Sequence, residues 1–350
     1  MSHASGRPVL GSIVHDARQA GLRWLLATLA CCFTTTDRVV ADTVYAVSFS
    51  TGELIRYDSA DPAGTRTVLS GSGGLVKPGA LAIGPDGNLY IGEDGDGGTF
   101  APRISKFEPA TLTRSTVVAF AGFEVFPGSL AFRGNDLLVG RNPFYANTGA
   151  IVKVANATGG AVAVSDYTTG GGLASSPGLA LAADGTLYVS DQTYNFVTGI
   201  ASGPVKRFDA AGTYVGEVIA SGSSGLAGPT GLVVGGSTLY TASLMAGTVL
   251  QTNLASDATQ AFASAGGPFE TGVLARLTDG SILAGSPAAS GSIYTFGSDG
   301  TLLSTFASGL GQVGGIAVAP VPEPSTTALA AMAAACGAGV LVRRRSSWRR

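Results

Sequence analysis

Short apolar runs recur along the middle of the chain at intervals near fifty residues. They read ALAIG from Ala80, SLAFR from Ser129, GLALA from Gly178, GLVVG from Gly231, GVLAR from Gly272 and GIAVA from Gly315. Pro78, Pro127, Pro177 and Pro229 introduce four of them, spaced by 49, 50 and 52 residues, and Glu270 stands in the corresponding register ahead of GVLAR. The first five are each followed by a turn signal (Asp86-Gly87, Asn135-Asp136, Asp184-Gly185, Gly235-Gly236, Asp279-Gly280) and a second apolar run. The clearest copy predicts strands at Leu179–Ala182 and Thr186–Ser190. After a loop come Val205–Phe208 and Tyr214–Ile219, joined by a turn at Ala211-Gly212. Asp-Gly and related pairs supply the positive φ angles of two-residue hairpins, so the turns specify antiparallel pairing. Four short strands per period predict a β-propeller blade, because a helical solenoid would need apolar residues at a 3.6 spacing.

The two ends of this array complement one another. TVYAV (Thr43 to Val47), ELIRYD (Glu53 to Asp58) and TRTVLS (Thr65 to Ser70) fit the second to fourth strands of a blade that lacks its first. The missing strand stands at Gly315–Ala319. Pairing the two removes both exposed sheet edges and predicts an all-β, six-bladed propeller over residues 42–320.

The pattern P-x-G-L-x...D-G-x-L-Y-V-x-D...V-x-x-F-D resembles NHL-type and related six-bladed propellers. In that pattern an aspartate ends the second strand, and it stands in this sequence as Asp94 and Asp191. The resemblance bears on the fold, since one propeller scaffold hosts many functions.

Composition narrows the chemistry. Residues 42–320 hold 12 basic and 20 acidic side chains, a net charge of −8, which argues against nucleic acid or an anionic membrane as partner. Both histidines (His3, His15) and all three cysteines (Cys31, Cys32, Cys336) lie outside that range. A Ser-His-Asp triad, a cysteine nucleophile, a His or Cys zinc site and a thiol redox centre are thereby excluded from the propeller.

The flanking segments have their own character. In residues 1–41, Arg7, Arg18 and Arg23 lead into the apolar run Trp24 to Phe33, and Val39-Val40-Ala41 offers small residues. This reads as a signal peptide with cleavage after Ala41, an uncleaved anchor being the alternative. At the other end, Val321-Pro322-Glu323-Pro324 precedes an apolar stretch at about 326–342 and then Arg343-Arg344-Arg345. That stretch is near the lower length limit for a membrane helix, and the arginines would hold its end on the cytoplasmic side. Motif, apolar helix and basic tail resemble the PEP-CTERM sorting signal, with an ordinary C-terminal anchor as the alternative. The resemblance implies an exosortase-type processing enzyme, transient anchoring in the inner membrane, and delivery to the cell surface or extracellular matrix.

Candidate sites fall on the connections between second and third strands. Those of blades two, three and four are extended (Glu93 to Pro102, Arg141 to Gly149, Gln192 to Pro204) and carry Phe100, Phe144, Tyr145, Tyr194 and Phe196. Long loops on a rigid scaffold collect binding residues. These aromatics are expected either to stack on a glycan or matrix-protein partner or to pack their own loops. The acidic run Glu93-Asp94-Gly95-Asp96-Gly97 can wrap calcium or form a solvated turn, and calcium is the one candidate cofactor. Glu270 is expected at the channel mouth, where it would be a metal ligand in an enzyme resembling the gluconolactonase-like propellers. The histidine chemistry of streptogramin lyase propellers is missing. The expected function is therefore noncatalytic binding or scaffolding at the cell surface or in the matrix. A metal-dependent hydrolase or lactonase with carboxylate ligands at the channel is the alternative.

Overall fold

The computed structural model describes residues 41–320 apart from 71–73, 122–125, 143–147 and 196. The leader ahead of Ala41, the Val321–Pro324 motif and the expected helix at about 326–342 lie outside the described residues. Among those described, no helix is long and apolar enough to cross a membrane.

Six four-stranded antiparallel sheets form the blades of a propeller. Blade two consists of Pro78–Ile83, Leu89–Glu93, Arg103–Glu108 and Thr113–Ala119, in that order from the axis outward. Blades three to six begin at Pro127–Arg133, Gly178–Leu181, Pro229–Gly235 and Val273–Arg276, and each repeats the same order. Blade one is built from both ends of the array. Its first strand is Val313–Ala319, which pairs with Thr43–Ser48, followed outward by Leu54–Asp58 and Thr67–Ser70. Thr43 lies opposite Ala319 and Val47 opposite Gly315, so the expected closure of the ring is realised. Asp42 adds to the seam: its carboxylate accepts bonds from the Thr278 amide (2.7 Å) and hydroxyl (2.6 Å) in blade six.

Successive residues of a strand point to opposite faces, and here both faces are covered. Val44 and Ala46 turn toward blade six, while Tyr45 and Val47 turn toward blade two. The described residues form six hydrophobic clusters, one at each junction between neighbouring blades. This is why the inner strands read as continuous apolar runs and why no central core is needed.

Two local elements depart from expectation. The strand expected from Thr65 begins at Thr67, because Pro62–Thr65 forms a helical turn. Asp61 caps it by accepting from the Gly64 amide, and Pro62 occupies the first helical position, a start signal at which proline loses no needed bond. The connection after the second strand of blade four holds its own small hairpin, Thr193–Asn195 paired with Ile200–Ser202.

Candidate binding face at the channel mouth

The six first strands surround a channel with a cavity volume of about 160 Å³. Its lining is glycine, alanine, serine, proline and aliphatic residues, and no ionisable side chain is among them. Glycine is required where neighbouring first strands meet. A Cβ on Gly231 would come within 2.7 Å of the Leu274 amide nitrogen in the next blade, and one on Gly315 within 2.7 Å of that of Leu81.

At the end of each second strand the chain reaches the face that carries the connections to the third strands. The residue at this point commonly latches the segment that enters the same blade. Glu93 accepts from the Val76 amide (2.7 Å), Asp191 from the Ala174 amide (2.6 Å) and Ser243 from the Ala227 amide (2.8 Å), while Ser286 donates to the Phe269 carbonyl (2.9 Å). The structural counterpart of Asp191 in blade two is therefore Glu93, which corrects the expectation that placed Asp94 there. Lys206 reaches Asp191 from the third strand, and both side chains are buried. In blade two the third-strand place of Lys206 is taken by Ser105, and the charge comes instead from Arg103 (3.0 Å) and Arg114 (2.9 Å). Glu93 is fully buried, and Ser105 also donates to it. Burial alone would raise its pKa, but the bonds from Arg103, Ser105 and Val76 and the charge of Arg114 hold it below the ordinary carboxylate value.

One residue further on, the chain folds back over the rim of the channel. Asp94, Asn142, Gln192, Leu244 and Phe49 each donate their amide to the carbonyl just before the first-strand register, those of Lys77, Phe126, Ser175, Gly228 and Gln312. Pro287 holds the same place in blade six and has no amide to give. Side chains at this register lie on the small residues of the first strands: Asp94 on Gly79, Asn142 on Gly128 and Pro287 on Gly272. The rim is thus divided. Blades two, three and four contribute Asp94, Asn142 and Gln192; blades five, six and one contribute Leu244, Pro287 and Phe49.

Asp94 is singular within this ring. The residue is half-buried, yet its Oδ1 is sealed from solvent and has no hydrogen-bond partner. Burial pushes its pKa up to about 7, against a smaller lowering by the Lys77 charge. Folding therefore favours the protonated form. The stability gained from that form is complete below the unfolded value of 3.8 and is lost as pH rises through about 7. Asp94→Asn is expected to remove this dependence and to be more stable than the parent above pH 7, by about 1 to 3 kcal/mol after allowance for partial exposure. Urea unfolding of both proteins at several pH values between 4 and 8 checks it.

No family model matches the chain, and no curated protein matches it. Its shape has a solved counterpart. A chain from the structure titled "Crystal structure of Nidogen/Laminin Complex" is similar with a TM-score of 0.63 at 14% sequence identity, over 80% of this chain and 98% of that one. At this identity the likeness concerns the fold.

The other expected site residues separate. Phe100 (44% exposed) and Tyr194 (43%) stand on the long connections of blades two and four, with Val197 (95%) and Ile200 (56%) beside Tyr194 in sequence. Phe100 also packs beneath the Arg103 guanidinium, 5.3 Å from its ring centre. Phe144, Tyr145 and Phe196 lie outside the described residues. Glu93, Asp94 and Asp96 do not converge: among the described residues no group of three or more His, Cys, Asp or Glu is placed to hold a metal. Glu93 serves the two arginines, and Asp96 closes its own loop by accepting from the Gly98 (2.9 Å) and Phe100 (2.8 Å) amides, which lower its pKa. Glu270 is not among the residues lining the channel and accepts from the Tyr294 hydroxyl (2.8 Å) on the third strand of blade six. Thr271, one residue later, takes the place that proline holds in blade two, which is why Glu270 misses the expected position. Asn142 and Gln192 were not among the residues expected from sequence. Counting outward from each first strand to the residue after the second would have found them.

Proposed function

We propose that this protein is an exported, noncatalytic binding or scaffolding propeller of the cell surface or extracellular matrix. The observation that carries the reading is the exposure of Phe100, Tyr194, Val197 and Ile200 on long connections of one face, above a channel lined by small and aliphatic residues. Exposed apolar and aromatic side chains gathered on loops of a rigid scaffold mark association surfaces. The similar solved chain comes from a structure titled as a complex, in keeping with a propeller that works by association. Export through the leader ending at Ala41, and sorting by an exosortase-type enzyme acting on Val321–Pro324 with transient anchoring in the inner membrane, complete the proposal. The partner is an exopolysaccharide or a matrix protein.

Tyr194→Ala and Tyr145→Ala test it in cells that make the protein. Each is expected to weaken retention on the cell surface about tenfold through loss of a stacking contact and the apolar area around it. Retention unchanged in the double variant would remove the reading.

A further inference from the structure

Resting on that binding reading, we propose that the channel rim on blades two to four is a subsite for an uncharged sugar residue of a polysaccharide, hydrogen-bonded by Asp94, Asn142 and Gln192. The rim offers one carboxylate and two side-chain amides in consecutive blades, the Gln192 Nε2 donating to the Pro229 carbonyl (3.4 Å) and leaving its oxygen to accept. Carboxylate oxygens accept hydrogen bonds, and amides both donate and accept, a set that matches neighbouring hydroxyl groups. The Asp94 and Asn142 side chains lie against Gly79 and Gly128, which themselves line the channel.

The class of ligand follows from charge and shape. A single carboxylate with Lys77 beside it is a poor site for a divalent cation, and the propeller's net charge of −8 disfavours a polyanion. Across the rim stand Phe49, Leu244 and Pro287, apolar residues suited to the C–H faces of a pyranose ring. The exposed Phe100 and Tyr194 lie on the loops that begin at Asp94 and Gln192, so a chain leaving the rim on this side passes the aromatic surface. Polar residues at the rim and long connections fall on the same three blades, which is the asymmetry a site for a polymer entering from one side requires.

The test titrates the purified full-length chain with cellohexaose, laminarihexaose and maltohexaose by calorimetry, with hexaguluronate as the anionic comparison. At least one neutral hexaose is expected to bind, and Asn142→Leu and Asp94→Leu are each expected to weaken it tenfold or more. Leucine is already accommodated at this register as Leu244, and thermal unfolding of both variants confirms folding. Binding of hexaguluronate alone, or of no sugar, overturns the proposal. So does unchanged affinity in both folded variants. Cell-surface retention separates this inference from the one beneath it: loss in Tyr194→Ala with full retention in Asn142→Leu and Asp94→Leu sinks the rim subsite and leaves the binding reading standing. Retention that survives periodate oxidation of surface sugars but not protease treatment sinks it as well, in favour of a protein partner.

Discussion

A chain ended at Leu310 is expected to lose cooperative folding altogether. Removing Val313–Ala319 takes the inner strand out of blade one, leaves Thr43–Ser48 with an unpaired edge, and strips Val313 and Ile316 from the junction with blade six. Open edges of this kind recruit other chains, so the truncated protein should be aggregated or partly unfolded by size-exclusion chromatography and by hydrogen exchange. A milder perturbation tests the same seam. A Cβ at Gly314 would strike the Pro78 carbonyl of blade two, a backbone atom that cannot swing aside. Gly314→Ala should therefore lower the unfolding midpoint clearly, whereas Gly160→Ala, where a Cβ meets nothing within 4 Å, should leave it unchanged or slightly raised. Equal midpoints for the two variants would show that the ring does not depend on close contact at its seam.

Glu93→Gln should cost about 3 to 5 kcal/mol, the penalty for breaking a buried ion pair and leaving its charges uncompensated. The carboxylate is fully buried, and Arg103 and Arg114 both direct guanidinium groups at it. Glu53→Gln is the comparison: its pair with Arg66, at 3.5 Å, is solvent-facing and should contribute less than about 1 kcal/mol. The pH dependence has a definite sign. Because the folded-state pKa of Glu93 is depressed, its contribution is present above the unfolded carboxylate value and is lost as pH falls through the folded one. Acid should thus narrow the difference between Glu93→Gln and the parent, a result readable from urea midpoints at pH 7 and at successively lower pH. A difference that persisted undiminished in acid would assign the loss to packing rather than to charge.

The blades were legible because their turns are chemically explicit. Asp86-Gly87, Asp184-Gly185 and Asp279-Gly280 sit at hairpins with left-handed glycines, and the spacing of apolar runs did the rest. The rim was less legible because the sequence there is ambiguous. Two adjacent carboxylates compete for one place: Glu93 follows Asp86 by seven residues as Asp191 follows Asp184, while the next side chain, Asp94, lies against Gly79. The acidic run consequently suggested one metal-binding loop, where the fold sends its three carboxylates to a buried ion cluster, the channel rim and a local turn. Arg114 was invisible as a partner because it lies 21 residues along the chain from Glu93, on the outermost strand of the blade.

The pairing of Thr43 with Ala319 has a directional meaning. Second strands run toward the rim and first strands run away from it, so the polypeptide enters and leaves the ring at neighbouring points on the opposite side. Anything tethering the molecule through either flank therefore holds it by its back, and the Asp94 side looks outward into the surroundings.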